Sequence, residues 1–190
     1  MYRIPTHPDV TGLGSAQPPP GLVFLSADKV AVDRLRLLDD ALRQDVPGTD
    51  GWTWDDDDFR AETFCAAFDP ATYVVAADAA TGDYVGLARV WKNPHQPRLG
   101  LIGVLAPYRR RGLARALLAH VFGVLHERGS LDVTAEVDDA NSASSALLRS
   151  LGAHRIGGVI EYVRRANRRI GPAGGSLARA GGSLARSSRG

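Results

Sequence analysis

The stretch Leu99 to Leu118, LGLIGVLAPYRRRGLARALL, concentrates the residue types that could do chemistry. An apolar run ends, Arg109, Arg110, Arg111 and Gly112 make a turn, and a periodic apolar segment begins at Leu113. A strand-to-helix junction of this kind exposes the first backbone N–H groups of the helix at a point where its dipole favours negative charge. Phosphate binding is the chemistry it suits. Gly112 lets backbone and ligand approach closely, Ala114 is small for the same reason, and the three arginines bring charge toward a pyrophosphate. The plainer alternative is a strand-loop-helix junction with a solvated arginine cluster.

The elements that must position this junction alternate along the chain. Leu22–Leu25 is a short strand candidate, and a helix is expected from about Asp28 through Arg43, ending before Pro47-Gly48. A polar stretch leads into a short helix, Phe59–Phe68. Tyr73–Ala77 and Val85–Trp91 flank the turn Ala80-Thr81-Gly82-Asp83 and read as an antiparallel hairpin. Leu99–Leu105 is a third apolar run, and Gly112–Glu127 has the apolar spacing of a buried helix face. A strand at Leu131–Val137, a helix at Ser142–Leu151 and a hairpin at Arg155–Arg164 complete the set. The layout is α+β, a single domain with a mixed, mostly antiparallel sheet flanked by helices.

Composition frames this core. At 190 residues, with 44% hydrophobic and 23% charged residues, the chain can build one domain with length to spare. Residues 1–21, rich in proline and glycine, read as a disordered lead-in, and residues 166–190, which repeat GGSLAR, as a flexible tail. The domain between them is residues 22–165. Seven arginines and no acid lie in residues 164–190, so the first 163 residues are net negative by about five despite the overall charge of +2. A basic nucleic-acid-binding face therefore has no support in the domain. The single cysteine, Cys65, excludes an internal disulfide, and the five histidines lack metal-ligand spacing, so no metal is expected. Without a long apolar span or a signal sequence, the expected location is cytoplasmic.

The junction resembles the GCN5-related N-acetyltransferase (GNAT) superfamily. Arg109-Arg110-Arg111-Gly112-Leu113-Ala114 matches that family's acetyl-CoA signature, Gln/Arg-x-x-Gly-x-Gly/Ala, at all three specified positions. Val104, Tyr108 and Arg109 match the preceding phrase V-x-P-x-Y-R, with the proline displaced by one to Pro107. Downstream, Asn141 and a helix ending in Leu151-Gly152 fall where family members show N-x-x-A-x-x-L-Y-x-x-x-G-F, and Leu148 stands where the family has tyrosine. The likeness spans about residues 22 to 164.

This resemblance implies acetyl-CoA as co-substrate. The signature strand and the strand after the long helix splay apart in the family, so backbone N–H groups near Val104 and Leu105 would hold the pantetheine arm and polarise the thioester carbonyl. Arg109, Arg110, Arg111, Gly112, Leu113 and Ala114 would hold the pyrophosphate. Asn141 matches a position near the pantetheine, although asparagine before a helix is equally a good N-cap. Acetyl transfer to an amine also needs a base and an acid near the thioester. Glu136, which strand alternation puts on one face with Asp132 and Thr134, is the base candidate; its alternative role is a strand carboxylate paired with an arginine. Tyr162 is the acid candidate, with the hydroxyls of Ser144 and Ser145 behind it.

The region between the first two helices lines the acceptor cleft in this family. Here Trp52, Trp54 and Asp55 could stack on and neutralise a cationic amine. The competing account makes the aspartates a helix N-terminus and the tryptophans loop anchors. The expected function is acetyl transfer to a primary amine of a small molecule by direct attack in a ternary complex. A protein N-terminus or lysine as acceptor, and an acyl-CoA-binding module without turnover, are the rival readings. Partners are thus a small-molecule amine and at most a second copy of the chain, as a monomer or homodimer, with no membrane; nucleic-acid binding through the arginine tail is the least supported of the rival readings.

Overall fold

A computed structural model describes residues 1–93 and 96–157. In chain order its elements are β1 (Tyr2–Pro5), α1 (Pro8–Thr11), β2 (Leu22–Ser26), α2 (Val32–Arg43), α3 (Asp56–Thr63), β3 (Tyr73–Asp78), β4 (Tyr84–Trp91), β5 (Arg98–Val104), α4 (Leu113–Glu127), β6 (Asp132–Ala135), α5 (Ser142–Arg149) and β7 (His154–Arg155). The seven strands form one sheet in the order β2-β3-β4-β5-β6-β1-β7. Every neighbouring pair is antiparallel except β5 and β6, which run parallel. The α+β reading with a mixed, mostly antiparallel sheet is therefore what the chain adopts.

Helices cover both faces, which is why β4 is buried from Val85 through Val90 rather than alternating with solvent. Against one face lies α4, whose stripe Leu113, Leu117, Val121 and Leu125 packs with Val74, Ala88 and Val90. The opposite face takes α2, where Leu35, Leu38 and Leu42 meet Tyr73, Val75, Leu87 and Leu101. Two features let α2 settle closely over β5. Gly103 carries no side chain where a Cβ would stand 3.0 Å from Leu42, and the register slips so that Leu101 faces Arg89 while Leu99 faces Val90. That slip leaves Gly100 as an extra residue in a bulge. A Cβ at Gly100 would come within 2.5 Å of the Trp91 indole nitrogen.

The structure corrects the expectation for residues 1–21. Instead of a disordered lead-in, β1 inserts between β6 and β7, and Tyr2, Ile4, Thr6, Thr11 and Leu13 are buried. Its prolines sit where they cost little: Pro5 ends the strand, and Pro8 occupies the first turn of α1, where its missing N–H needs no partner. Gly12 closes that helix in the left-handed region (φ 63°). Smaller differences follow from capping. The helix expected from Asp28 is divided into a 3₁₀ turn, Ala27–Lys29, and α2, while α3 starts earlier than Phe59 because Asp55 caps it. The remainder of the final hairpin, Tyr162 and residues 166–190 lie outside the described residues.

Candidate active site

At the end of β5 the chain makes a 3₁₀ turn, Ala106–Tyr108, and enters the arginine loop. Tyr108 fixes the turn by donating its hydroxyl to Asp78 Oδ2 at 3.1 Å. The Ala80 and Thr81 amides, and then Tyr108, hold the Asp78 carboxyl below its ordinary range, while the same hydrogen bond raises the Tyr108 phenol. Arg110 then adopts φ 62°, a left-handed conformation that costs about 1–3 kcal/mol outside glycine, and Gly112 adopts φ 82° as the N-cap of α4. Having no side chain, Gly112 offers the opening amides of this 15-residue helix no cap, and nothing lies within 4 Å of where its Cβ would be. The helix start is thus an uncapped, unobstructed set of donors. Leu113 is buried in the core, so it can serve a ligand only through its amide.

The three arginines diverge. Arg109 turns back, donating Nε to the Val104 carbonyl at 2.8 Å and pairing through Nη2 with Asp45 just beyond α2. Arg111 stands 5.5 Å over the Tyr108 ring, and neither it nor Arg110 forms an ion pair among the described residues.

Below the loop the sheet opens. β5 and β6 are paired only at Arg98–Thr134 and Leu99–Ala135. The Leu105 amide donates to the Val85 carbonyl at 2.8 Å, which removes it from the role expected for it at the thioester. Alternation along an antiparallel ladder then turns the Ile102 and Val104 N–H groups away from β4 and into the opening. The Val104 amide is thus turned into the opening, and so is that of Ile102, which the residue pattern did not single out.

The cleft between the diverging strands, about 130 Å³, is lined by Gly100, Leu101 and Ile102 on one side and by Glu136, Asn141 and Ser144 on the other, with Arg43 at its edge. Glu136 lies just past the end of β6, forms a 3.7 Å ion pair with Arg98, as its alternative role expected, and is among the residues lining the cleft. Asn141 Oδ1 accepts from the Ser144 amide at 3.0 Å, an N-cap bond, while its residue still lines the opening. Ser144 borders the cleft, whereas Ser145 is buried. Leu148 is a core residue, 1% exposed. Tyr162 lies outside the described residues. A wider groove of about 470 Å³ between the N-terminal segment and α4 has His120 as the single ionisable side chain in its described lining.

On the α2 face the expected acceptor residues split. Asp55 is a helix cap, accepting through Oδ1 from the Asp57 amide at 2.9 Å and the Asp58 amide at 3.4 Å. Trp54 is an anchor: its amide donates to Asp40 at 2.8 Å and its indole to Asp39 at 2.7 Å, with its ring edge-on to Phe59. Trp52, 47% exposed and edge-on to Trp54, remains accessible.

Those bonds lead to a buried ionic network. Asp39, fully buried, accepts from Arg43 Nε at 2.5 Å and from Trp54, while Arg89 Nη1 stands 3.4 Å from its other oxygen, an ion pair without hydrogen-bond geometry. Arg89, 4% exposed, is flanked by the Trp91 ring at 4.6 Å and the Tyr73 ring at 5.5 Å. Burial pushes the Tyr73 phenol up to about 12, against the pull of Arg89. Asp39 continues the apolar stripe Leu35, Leu38, Leu42 of α2, and Arg89 interrupts an otherwise apolar strand. A charged residue at such positions is the signal that locates this network.

Residues 36–153 match the family model described as the acetyltransferase (GNAT) family. A mycothiol acetyltransferase of Clavibacter sepedonicus is 33% identical over 157 residues, covering 82% of this chain and 50% of that protein. The chain spans half the length or less of the curated relatives it matches. Among solved structures, a GCN5-related N-acetyltransferase from Sphaerobacter thermophilus aligns with a TM-score of 0.61 at 22% identity, over 80% of this chain and 46% of that one. An aminoglycoside N-acetyltransferase in complex with CoA aligns at 0.56 and 21% identity, over 76% and 95%.

Proposed function

This chain belongs to the acetyltransferase (GNAT) family, and from that premise we propose that it transfers an acetyl group from acetyl-CoA to a primary amine of a small molecule by direct attack. The observation that carries the reading is the parting of β5 from β6 beyond Leu99, with the Ile102 and Val104 donors turned into it and the uncapped start of α4 at its end. An extended, amide-bearing arm ending in a pyrophosphate fits that combination. The small-molecule acceptor is supported by the names of the relatives, a mycothiol acetyltransferase and an aminoglycoside N-acetyltransferase.

When bound, acetyl-CoA supplies an activated acyl group as a thioester. The amides of Leu113 and Ala114, with Arg110 and Arg111, hold the pyrophosphate; Arg109 joins them if it exchanges Asp45 for phosphate. The Val104 and Ile102 N–H groups fix the arm, and the donor nearest the thioester stabilises charge developing on its oxygen. Glu136 takes the proton of the attacking amine, directly or through a water. The C–N bond would form as the C–S bond breaks, and the proton taken up by Glu136 would be passed to the leaving sulfur through water or relayed by the Ser144 hydroxyl.

The test is calorimetric titration with acetyl-CoA of the wild type and of Gly112→Glu, which adds bulk and negative charge at the pyrophosphate position. Binding should vanish in the variant while its circular dichroism stays native. Equal affinity in a folded variant overturns the placement. Wild-type binding without thiol release on any amine would favour the acyl-CoA-binding module.

A further inference from the structure

We infer that the acceptor is a small zwitterion of the α-amino acid type, its anionic group held by Arg43 and its amine turned toward Glu136. The inference rests on the acetyltransferase reading above and extends it to the acceptor.

The argument is one of charge balance. The buried part of the network contains two carboxylates: Asp40, which Arg36 pairs at 2.8 Å, and Asp39, which faces the one guanidinium buried with it, Arg89 at 4% exposure. Arg36 thus balances Asp40 and Arg89 balances Asp39, in keeping with the cost of an unpaired buried charge. Arg43 is a second cation on the same carboxylate, and nothing else acidic pairs with it among the described residues. It carries the surplus positive charge of the cluster, and it is the member that borders the cleft, with 23% of its side chain exposed.

Arg43 is also held in place. Its Nε is committed to Asp39, and the rings of Trp54 and Trp52 lie 5.3 and 5.9 Å from its guanidinium carbon. Its terminal nitrogens donate to no group among the described residues, a fixed fork of the kind that binds carboxylate. Across the cleft stand Glu136 and Asp138. The cleft lining thus carries the Arg43 cation together with two carboxylates, one of them shared with Arg98, a pattern that matches an amine with a carboxylate a few bonds away and disfavours a simple polycation.

The test uses the full chain. Acetyl-CoA binding is first measured by calorimetry, and thiol release is then compared for the proteinogenic α-amino acids and their methyl esters. An ester's amine is less basic and more often neutral, so amine reactivity alone favours the ester. A preference for the free acid therefore reports the anion contact. For at least one side chain, kcat/KM for the acid should exceed that for the ester by about tenfold or more. In Arg43→Met that ratio should fall to one or below, and Arg43→Lys should retain part of the preference, as expected of a charge contact.

Esters that match or outrun every acid in the wild type would overturn the proposal, with no variant needed. So would a preference for acids that survives in Arg43→Met. Acetyl-CoA binding with no turnover of either series would overturn the acceptor assignment while leaving the cofactor reading intact. Failure to bind acetyl-CoA would instead bring down the acetyltransferase reading itself.

Discussion

Asp39→Asn removes one charge and almost no volume from the middle of the α2 face. The new amide oxygen can still accept from the Trp54 indole, now 2.7 Å from Asp39, so the loop anchor survives. Arg43 is partly exposed and can turn its charge to water. Arg89 cannot: it is 4% exposed, and Asp39 is its one ion-pair partner among the described residues. Its contacts with the Trp91 and Tyr73 rings exist before and after the change and offset nothing. Leaving a buried cation unpaired costs about 3–5 kcal/mol, a large part of the ~5–15 kcal/mol that holds a typical domain. Urea denaturation followed by tryptophan fluorescence should show the loss as a lower midpoint at unchanged slope. In Arg89→Met the carboxylate keeps Arg43 and Trp54, and in the double variant the uncompensated charge is gone. The double variant should therefore be more stable than the sum of the single losses predicts, by about 2 kcal/mol or more. A loss below about 1 kcal/mol in Asp39→Asn, or strict additivity, would refute the charge-balance reasoning.

Two further outcomes follow from the site. The Tyr73 phenol is raised to about 12 from an ordinary value of 10.0, so the folded state holds its proton more tightly than the unfolded chain. That contribution is intact below pH 10 and disappears as pH rises toward 12, a loss of about 2–3 kcal/mol. Tyr73→Phe should lack this part of the alkaline loss, and parallel curves for the two proteins would contradict the assignment. Glu136→Gln should lower kcat by about a hundredfold or more while leaving acetyl-CoA affinity within a factor of about three. Its exposed pairing with Arg98 gives little reason to expect instability. Wild-type turnover removes Glu136 from the mechanism.

The parts readable in the sequence were those where one local rule acts alone. Leu113, Leu117, Val121 and Leu125 repeat at helical spacing because α4 lies along the sheet, and the Arg109–Gly112 turn stood out through its glycine and charge. β1 was not readable because four residues ending in proline carry too little pattern, and their place depends on Asp132–Ala135, far along the chain. Asp55 had two local roles available, and only the backbone geometry chose the cap. Leu105 differs from Val104 by one step of the ladder, a register that the β4 partner sets. The Asp39–Arg89 pair joins a helix to a strand 50 residues away, so each charge stands out against its apolar neighbours while nothing local names its partner.

The position of β1 between β6 and β7 also sets a timetable for folding. Its partner strand begins at Asp132, so a nascent chain that has made Tyr2–Pro5 must add about 130 residues before that pairing can form. At about 5–20 residues per second, this is a wait of roughly 6–25 s. Until then β2 through β5 can assemble as a four-stranded meander, while β1 waits for β6, which must itself join the β5 edge. Pairings so distant in sequence slow folding because loop closure must be achieved before any contact rewards it. Closing β1 onto β6 is thus the step through which the last strands of the sheet are gained, and a chaperone that holds Tyr2 and Ile4 out of contact would act on this protein during that interval.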